Sequence, residues 1–600
     1  MNATDHAAFV EPQWNAWEED QYSTTPSFEP LKTIEPDSTY SLFVDLAAIQ
    51  YADHIEYYGP FSRKVSSGLT AWLKGNPKAT EIEIVAIPDE RFFEGLDQQQ
   101  RVQHLTVNLN KVRTARLKGV EKPRYPFKYL QAHPHASFSF GQKPVSFRLE
   151  TKKHRTGLAS VALSFWVNRK PVDEISVPIC IVEQPSTGVP DDCQEPITPT
   201  YSLRGVDPVN HDSYPDAALH LVQLNSNTLV GVFRCNSCSG SQDDGYLTWT
   251  LRRTPAQLID DINDNVVSTF EAASQINDEE QMRQAGRALY NVIFEENDTN
   301  DVSDAENAFI TFVGGEIARQ RKSDAPVIAT SAPSIFMRLL PNESDVSFAV
   351  PLDLMVVAAP DGTEEYLGFH FRIEAPLQLQ SYVPPKACVS SWKLMMPPPP
   401  PLSSEDMKNA RKPFEKWIGE FRNWKSHADV ESDAMLFDGW LGKRERGKDG
   451  LVVLTLSHHA RGKLCFSDPS CKGHSVLSAD IRRSFPSPSL AVINACGTAQ
   501  PGASEFIRKL NFSGIETIIA TSTAVDGSIA GQFLSKFLYV LHDNTDPAYT
   551  IGHAKFDTVA GLRKKYGARV LSYTLLGNDS VKVCTPPKRP EEDEGSVAGR

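Results

Sequence analysis

What this 600-residue chain lacks narrows its identity first. No window approaches the ~20 consecutive apolar residues that a membrane-spanning helix needs. The opening "MNATDHAAFVEPQWNAWEED" has no basic segment leading into an apolar core, so the chain reads as neither membrane-bound nor exported. Cations are in deficit, with 61 Lys and Arg against 75 Asp and Glu and a formal charge of −14. Without an extended basic stripe to neutralise phosphates, direct binding of nucleic acid is not expected. No G-x-S-x-G elbow is present, which ranks a serine hydrolase last. Cysteine is scarce and odd in number, nine in all. Such a count does not make a disulfide framework, and the expectation is reduced thiols in a cytoplasm, one of them available for chemistry.

The length is too great for one core and implies several domains. Residues 1–37 are acidic and unpatterned and are expected to be a flexible N-terminus. From 38 to 185 the apolar period is two: Leu42, Val44 and Leu46; Ile82 and Ile84; Leu105, Val107 and Leu109; Val145, Phe147 and Leu149; Val161, Leu163, Phe165 and Val167; Ile175, Val177 and Ile179. Short alternating strands between Gly, Pro and Asn turns predict an all-β, sandwich-like domain. Residues 186–253 read as a Pro- and Asp-rich linker followed by a hairpin over Asn225 to Asn227. At Thr254-Pro255 the period becomes helical, and Asn277 with Glu280 opens a second helix. Strand-like runs follow to about 395, then "MMPPPPPL", a stiff extended connector, since each proline removes a donor and fixes φ. Residues 396–450 hold this connector and helices. Beyond 450 the apolar runs "LVVLTLS", "LAVINA" and "TIIATST" are continuous and separated by helical segments, the pattern of parallel strands buried on both faces. Residues 586–600 are a charged tail.

In an open parallel sheet, functional residues collect beyond the carboxyl ends of the strands. One strand here ends in "SHHA" and the next in "NACG". A crossover between them makes the two strands neighbours and sets a histidine opposite a cysteine. An imidazole that takes the proton of Cys496 makes it a nucleophile near neutral pH. Backbone N–H groups around Cys496, Gly497 and Ala460 can then serve an oxyanion. Consecutive side chains on a strand point to opposite faces, so at most one of His458 and His459 addresses the crevice. A cysteine ending an apolar strand is often only a small core residue, and the histidines are what shift the balance.

The segment "LVVLTLSHHARGKLCF" with "SLAVINACGTAQPGASEFIRKLNFSGIETIIATSTAVDGSIAGQFLSKFLYVL" resembles the CHAT family of caspase-like cysteine peptidases, grouped with caspases, separase and gingipains. The resemblance is closest over about 450–545 and extends upstream through "QMRQAGRALYNVIFEE" and "SIFMRLLPNESDVSFAVPLDLM". It implies a non-catalytic half over 254–395 and a catalytic half over 451–585, with His459 as base and Cys496 as nucleophile. It also implies a regulated cytoplasmic endopeptidase that cleaves a protein in a bacterial stress or antiviral programme. An activating partner or signal would act at the N-terminal β region, and no cofactor is called for. Three departures stand out. Ala460 replaces the usual glycine after the histidine, Asn494 replaces the acidic residue common in Arg- or Lys-cleaving relatives, and the proline connector lies between the sheet halves. Asn494 and Asp526 fall where the family builds its substrate pocket.

Two other readings compete. Cys235-x-x-Cys238, and Cys465 and Cys471 with His474, carry metal-ligand residue types, but structural zinc wants two close pairs and neither group supplies them. A caspase-like scaffold that works by binding through its β region is the second. His542 and His553 read as packing or capping residues.

Overall fold

The computed structural model describes residues 7–16, 33–49, 80–107, 145–183, 193, 200–201, 215–225, 227–235, 245–251, 253–294, 304–322, 332–339, 350–375, 377, 388–398, 404–424, 427–443, 450–460, 463–466, 475–486, 488–500, 505–544, 546 and 548–584. The period-two segments form strands: Thr39–Ile49, Thr80–Pro88, Val102–Val107, Val145–Glu150, Gly157–Val167 and Lys170–Ile181. They are divided between a small antiparallel sheet and a larger, mostly antiparallel one, and the small sheet corrects the expectation of a flexible N-terminus, because Ala7–Ala16 joins it as a strand paired with Thr39–Ile49. Leu109 lies outside the described residues, as do Cys238, Cys471 and His474.

The hairpin expected around Asn225 to Asn227 is present as Ala217–Asn225 against Thr228–Cys235. It is part of a sheet and not of a linker: its first strand pairs in parallel with Ser334–Leu339, which pairs with Arg372–Glu374. Helices cover this middle sheet. Thr254 caps the first of them with a reciprocal Gln257 bond, as the Thr-Pro signal predicts. That helix, Pro255–Asp261, continues through a π-helical turn at Ile262–Val267 into α1 (Ser268–Ile276). Asn277 does not open the next helix. It closes α1 in the left-handed conformation at φ 55°, and Asp278 instead accepts from the Gln281 N–H at 3.1 Å. Asn and Asp serve both kinds of cap, and the sequence alone does not separate them.

A second sheet carries the histidine and cysteine strands. Its strands are β1 (Ser391–Met395), β2 (Ala428–Glu431), β3 (Leu451–Leu456), β4 (Leu490–Asn494), β5 (Thr517–Thr521) and β6 (Tyr573–Gly577). The spatial order is 2-1-3-4-5-6, parallel throughout except for β6. β1 lies on the N-terminal side of the proline run, so this sheet begins near 391. Helices α2 (Glu405–Arg411), α3 (Gly527–Asp543) and α4 (Ile551–Tyr566) flank it on one side. Val452, Leu454, Leu456, Leu490 and Val492 pack towards them, while Val453, Ala491 and Ile493 pack into a separate core on the other face. This two-sided burial is why the strands read as unbroken apolar runs. The middle sheet and this one meet where Ala375 bridges Leu576, and at the same seam Lys170 of the strand Lys170–Ile181 reaches Glu374 at 2.8 Å.

The cysteines correct the expectation of reduced thiols. Cys180 pairs with Cys193 and Cys388 with Cys584, and Cys235 and Cys465 are also disulfide-bonded. Sparse cysteines spread along the chain conceal pairs that only the fold brings together: Cys388 and Cys584 are 196 residues apart in sequence but only 5.3 Å apart at Cα. Cys496 is the free thiol among the described residues. No helix among those residues is long and apolar enough to cross a membrane.

Candidate active site

β3 and β4 are hydrogen-bonded neighbours, with Leu456 in register with Asn494, and the Ser457 N–H continues the ladder to the Asn494 carbonyl at 3.0 Å. Both strands end at the same edge, as their "SHH" and "NAC" endings predict. Beyond β4 the chain turns sharply. Thr521 and Thr498 hydroxyls donate to the Ala495 carbonyl at 2.6 and 3.0 Å, and Gly497 adopts φ +63°, a region that costs a side-chain-bearing residue energy. Cys496 is thereby held at the lip of the sheet, partly covered.

Its thiol faces the loop that leads from β5 into α3. Cys496 Sγ donates to the Val525 carbonyl and accepts from the Val525 N–H, each at 3.5 Å. Burial pushes the thiol pKa up. The Val525 bond opposes this, and the charges of Asp406 and Glu271 add to the rise. The Gly497 N–H donates to the Thr523 carbonyl at 3.1 Å, so this expected oxyanion donor already has an acceptor.

The histidines start a small antiparallel ribbon in which His458 pairs with Cys465 and His459 with Leu464. The side chains of His459 and Ala460 lie outside the described residues. His458 is largely covered, and its Nε2 lies 3.9 Å from Asp406 Oδ2. Asp406 stands in the first turn of α2, and its Oδ1 accepts from the Gly527 N–H at 3.0 Å. Here α2 and α3 approach closely: a Cβ on Gly527 would meet the Asp406 carbonyl at 2.4 Å, and one on Gly531 the Ala410 carbonyl at 2.0 Å. Glycine at these two positions is what lets Asp406 reach the loop.

Asn494 lies inside the core behind the thiol. Its amide donates to the Ala530 carbonyl at 2.7 Å and accepts from Tyr573 Oη at 2.8 Å. Asp526 is exposed and caps α3 by accepting from the Ser528 N–H at 2.7 Å. His553 caps α4 with Thr550, and burial holds its pKa down at about 4.

Two acidic residues in the site carried no sequence signal. Asp406 looks like any acidic residue in a helical first turn. Glu271 looks like a solvated position on an amphipathic helix, yet its Oε1 accepts from the Ala524 N–H at 2.6 Å, across 253 residues of chain. Burial raises the Glu271 pKa, and the Ala524 bond works against that rise.

No protein-family model matches the chain, and no curated protein matches it. Among solved structures it is similar to separase in the Saccharomyces cerevisiae separase–securin complex, at a TM-score of 0.34 and 10% identity over 60% of this chain and 30% of that one. It is also similar to the Arg-specific cysteine proteinase gingipain R, at 0.30 and 11% over 48% of this chain and 70% of that one. The pro- and mature domains of the Porphyromonas gingivalis enzyme give 0.31 and 11%. Likenesses this slight do not bear on chemistry.

Proposed function

We propose that the chain is a cysteine endopeptidase acting on a protein, with Cys496 as nucleophile and a histidine of the 458–459 pair as its base. The observation that carries this reading is the placement of a free thiol at the carboxyl end of β4, beside the strand that ends in both histidines. A parallel sheet offers its reactive edge there. In the reaction the base takes the thiol proton, and sulfur attacks the scissile carbonyl to form an acyl-enzyme. The proton passes to the leaving amine, and water then releases the acid. The resemblance assigns the base to His459, whereas the contact with Asp406 favours His458.

The setting implied by the resemblance is a bacterial stress or antiviral programme. A cytoplasmic location is not carried forward, because disulfides persist in oxidising compartments. A catalytically silent scaffold is the competing reading, favoured by the raised thiol pKa and by the engaged Gly497 N–H.

The test is the rate at which a thiol-reactive electrophile labels Cys496 near neutral pH, without reductant, in the wild type and in His458→Ala and His459→Ala. Loss of labelling in one histidine variant identifies the base. Equal and rapid rates in all three sink the dyad, whereas uniformly slow rates are those of a covered thiol, and the same comparison is then made with the loop over Cys496 released.

A further inference from the structure

The loop between β5 and α3 is tied down at almost every step. The Ser522 N–H donates to the Ser572 carbonyl at 2.8 Å, and the Thr523 and Ser572 hydroxyls bond each other at 2.6 Å. The Thr523 carbonyl occupies the Gly497 N–H, and Val525 brackets the thiol with both its N–H and its carbonyl. Two carboxylates from outside this loop complete the set, Glu271 on the Ala524 N–H and Asp406 on the Gly527 N–H. While the loop sits here, Gly497 cannot give its N–H to a developing oxyanion, and catalysis of acyl transfer depends on such donors being free.

We propose that residues 522–527 form a latch holding Cys496 shut, and that Glu271, reaching over from the middle sheet's helices, is the pin that keeps the latch closed. The inference rests on Cys496 being the nucleophile. A partly buried carboxylate is costly unless it is well bonded, and the Ala524 N–H is the bond that the structure gives Glu271. The bond spans from the helical layer of the middle sheet to the loop of the catalytic sheet. Any movement of α1 is therefore transmitted to the thiol.

The π-helical turn at Ile262–Val267 runs directly into α1, three residues before Glu271. A π turn holds one residue more than the α-helical path requires, and such turns concentrate at functional sites. Its conversion to α pitch would turn the following helix by about 100° and shift it by about 1.5 Å. That motion withdraws Glu271 from Ala524. Val525 is then free to leave the thiol and Thr523 to release the Gly497 N–H.

The experiment is the rate of Cys496 alkylation by iodoacetamide in the full, unreduced chain, read by peptide mass spectrometry. Glu271→Ala should label faster by about tenfold or more, the factor expected when a hydrogen bond to a charged group is lost. Glu271→Gln, which keeps an acceptor oxygen, should fall between the two, and Glu280→Ala on the exposed face of the next helix should match the wild type. An unchanged rate in a folded Glu271→Ala variant overturns the latch. Should that variant fail to fold, hydrogen exchange across 522–527 in Glu271→Gln decides: faster exchange there than in the wild type supports the pin, and equal exchange removes it. Adding His458→Ala and His459→Ala to Glu271→Ala separates the two readings. Fast labelling that ignores both histidines leaves the latch standing and removes the dyad.

Discussion

Asp406 sets one carboxylate oxygen 3.9 Å from Nε2 of His458 while its other oxygen holds the first N–H of α3. One side chain thus links a histidine of β3's ribbon to the loop that covers Cys496, and its charge reaches the thiol.

The sign of that electrostatic effect is testable. A negative charge near a thiol disfavours the thiolate, so Asp406 raises the Cys496 pKa. Asp406→Asn keeps an oxygen for the Gly527 N–H but removes the charge. The pH midpoint of Cys496 alkylation should move to lower pH, by less than about one unit for a single partly screened charge. A midpoint that stays or rises contradicts this placement of Asp406.

The disulfides predict a thiol count. In the native chain without reductant, Cys496 should alkylate, while Cys180, Cys193, Cys235, Cys388, Cys465 and Cys584 should not. After reduction all seven should. Cys388→Ala should cost about 2–4 kcal/mol of stability, as is typical for loss of a native bridge. Denaturant melts of the unreduced variant and wild type measure it.

The seam at Glu374 should respond to pH. Glu374 is buried, and burial together with the nearby Asp579 raises its pKa to about 7, against the attraction of Lys170 and Arg372. Between about 4.5 and about 7 the folded state therefore holds a proton that the unfolded state has lost. In that window stability from this group falls as pH rises. Glu374→Gln should flatten that part of a plot of melting temperature against pH. Lys170→Ala should destabilise by about 3–5 kcal/mol above pH 7, where it strands a buried carboxylate, and by less at pH 5, where Glu374 takes up a proton.

The close approach of α2 and α3 gives a further prediction. A Cβ on Gly531 would overlap the Ala410 carbonyl, so Gly531→Ala should cost about 1–3 kcal/mol through forced separation of the helices. Because α2 carries Asp406, the same variant should also change the Cys496 labelling rate. A Tm and a rate both equal to the wild type's would show that the contact is not tight.

Much of the fold was legible because burial writes itself into period. Leu490 to Ile493 run continuously because both of their faces are covered, whereas Val161 to Val167 read as period two although Ala162 and Trp166 between them are also buried, against the middle sheet. The neighbouring of β3 and β4, which brings the histidine strand beside Cys496, followed from the length of chain between them, enough for one crossover. Long-range partnership left no such mark. Cys388 finds Cys584, Glu271 finds Ala524, and Lys170 finds Glu374 across separations of 196, 253 and 204 residues. A lone cysteine, an acidic residue on a helix face and a lysine at the start of a strand look the same in sequence whether or not a distant partner meets them. Ala217–Asn225 and Ser334–Leu339 both read as strands, but their parallel pairing does not, since nothing local specifies which strand completes a sheet.

The bridge between Cys388 and Cys584 has a topological meaning for the proline connector at 395–402. It closes residues 388–584 into a covalent ring that contains the connector, both histidines, the thiol and its latch. A single backbone cut anywhere inside a ring does not divide it. If a protease nicks the connector, the fragments stay tethered as a two-chain molecule, separable on a gel only after reduction. Cleavage there would loosen β1 from α2 without parting Asp406 from Cys496, so processing and retention of the assembled site are compatible.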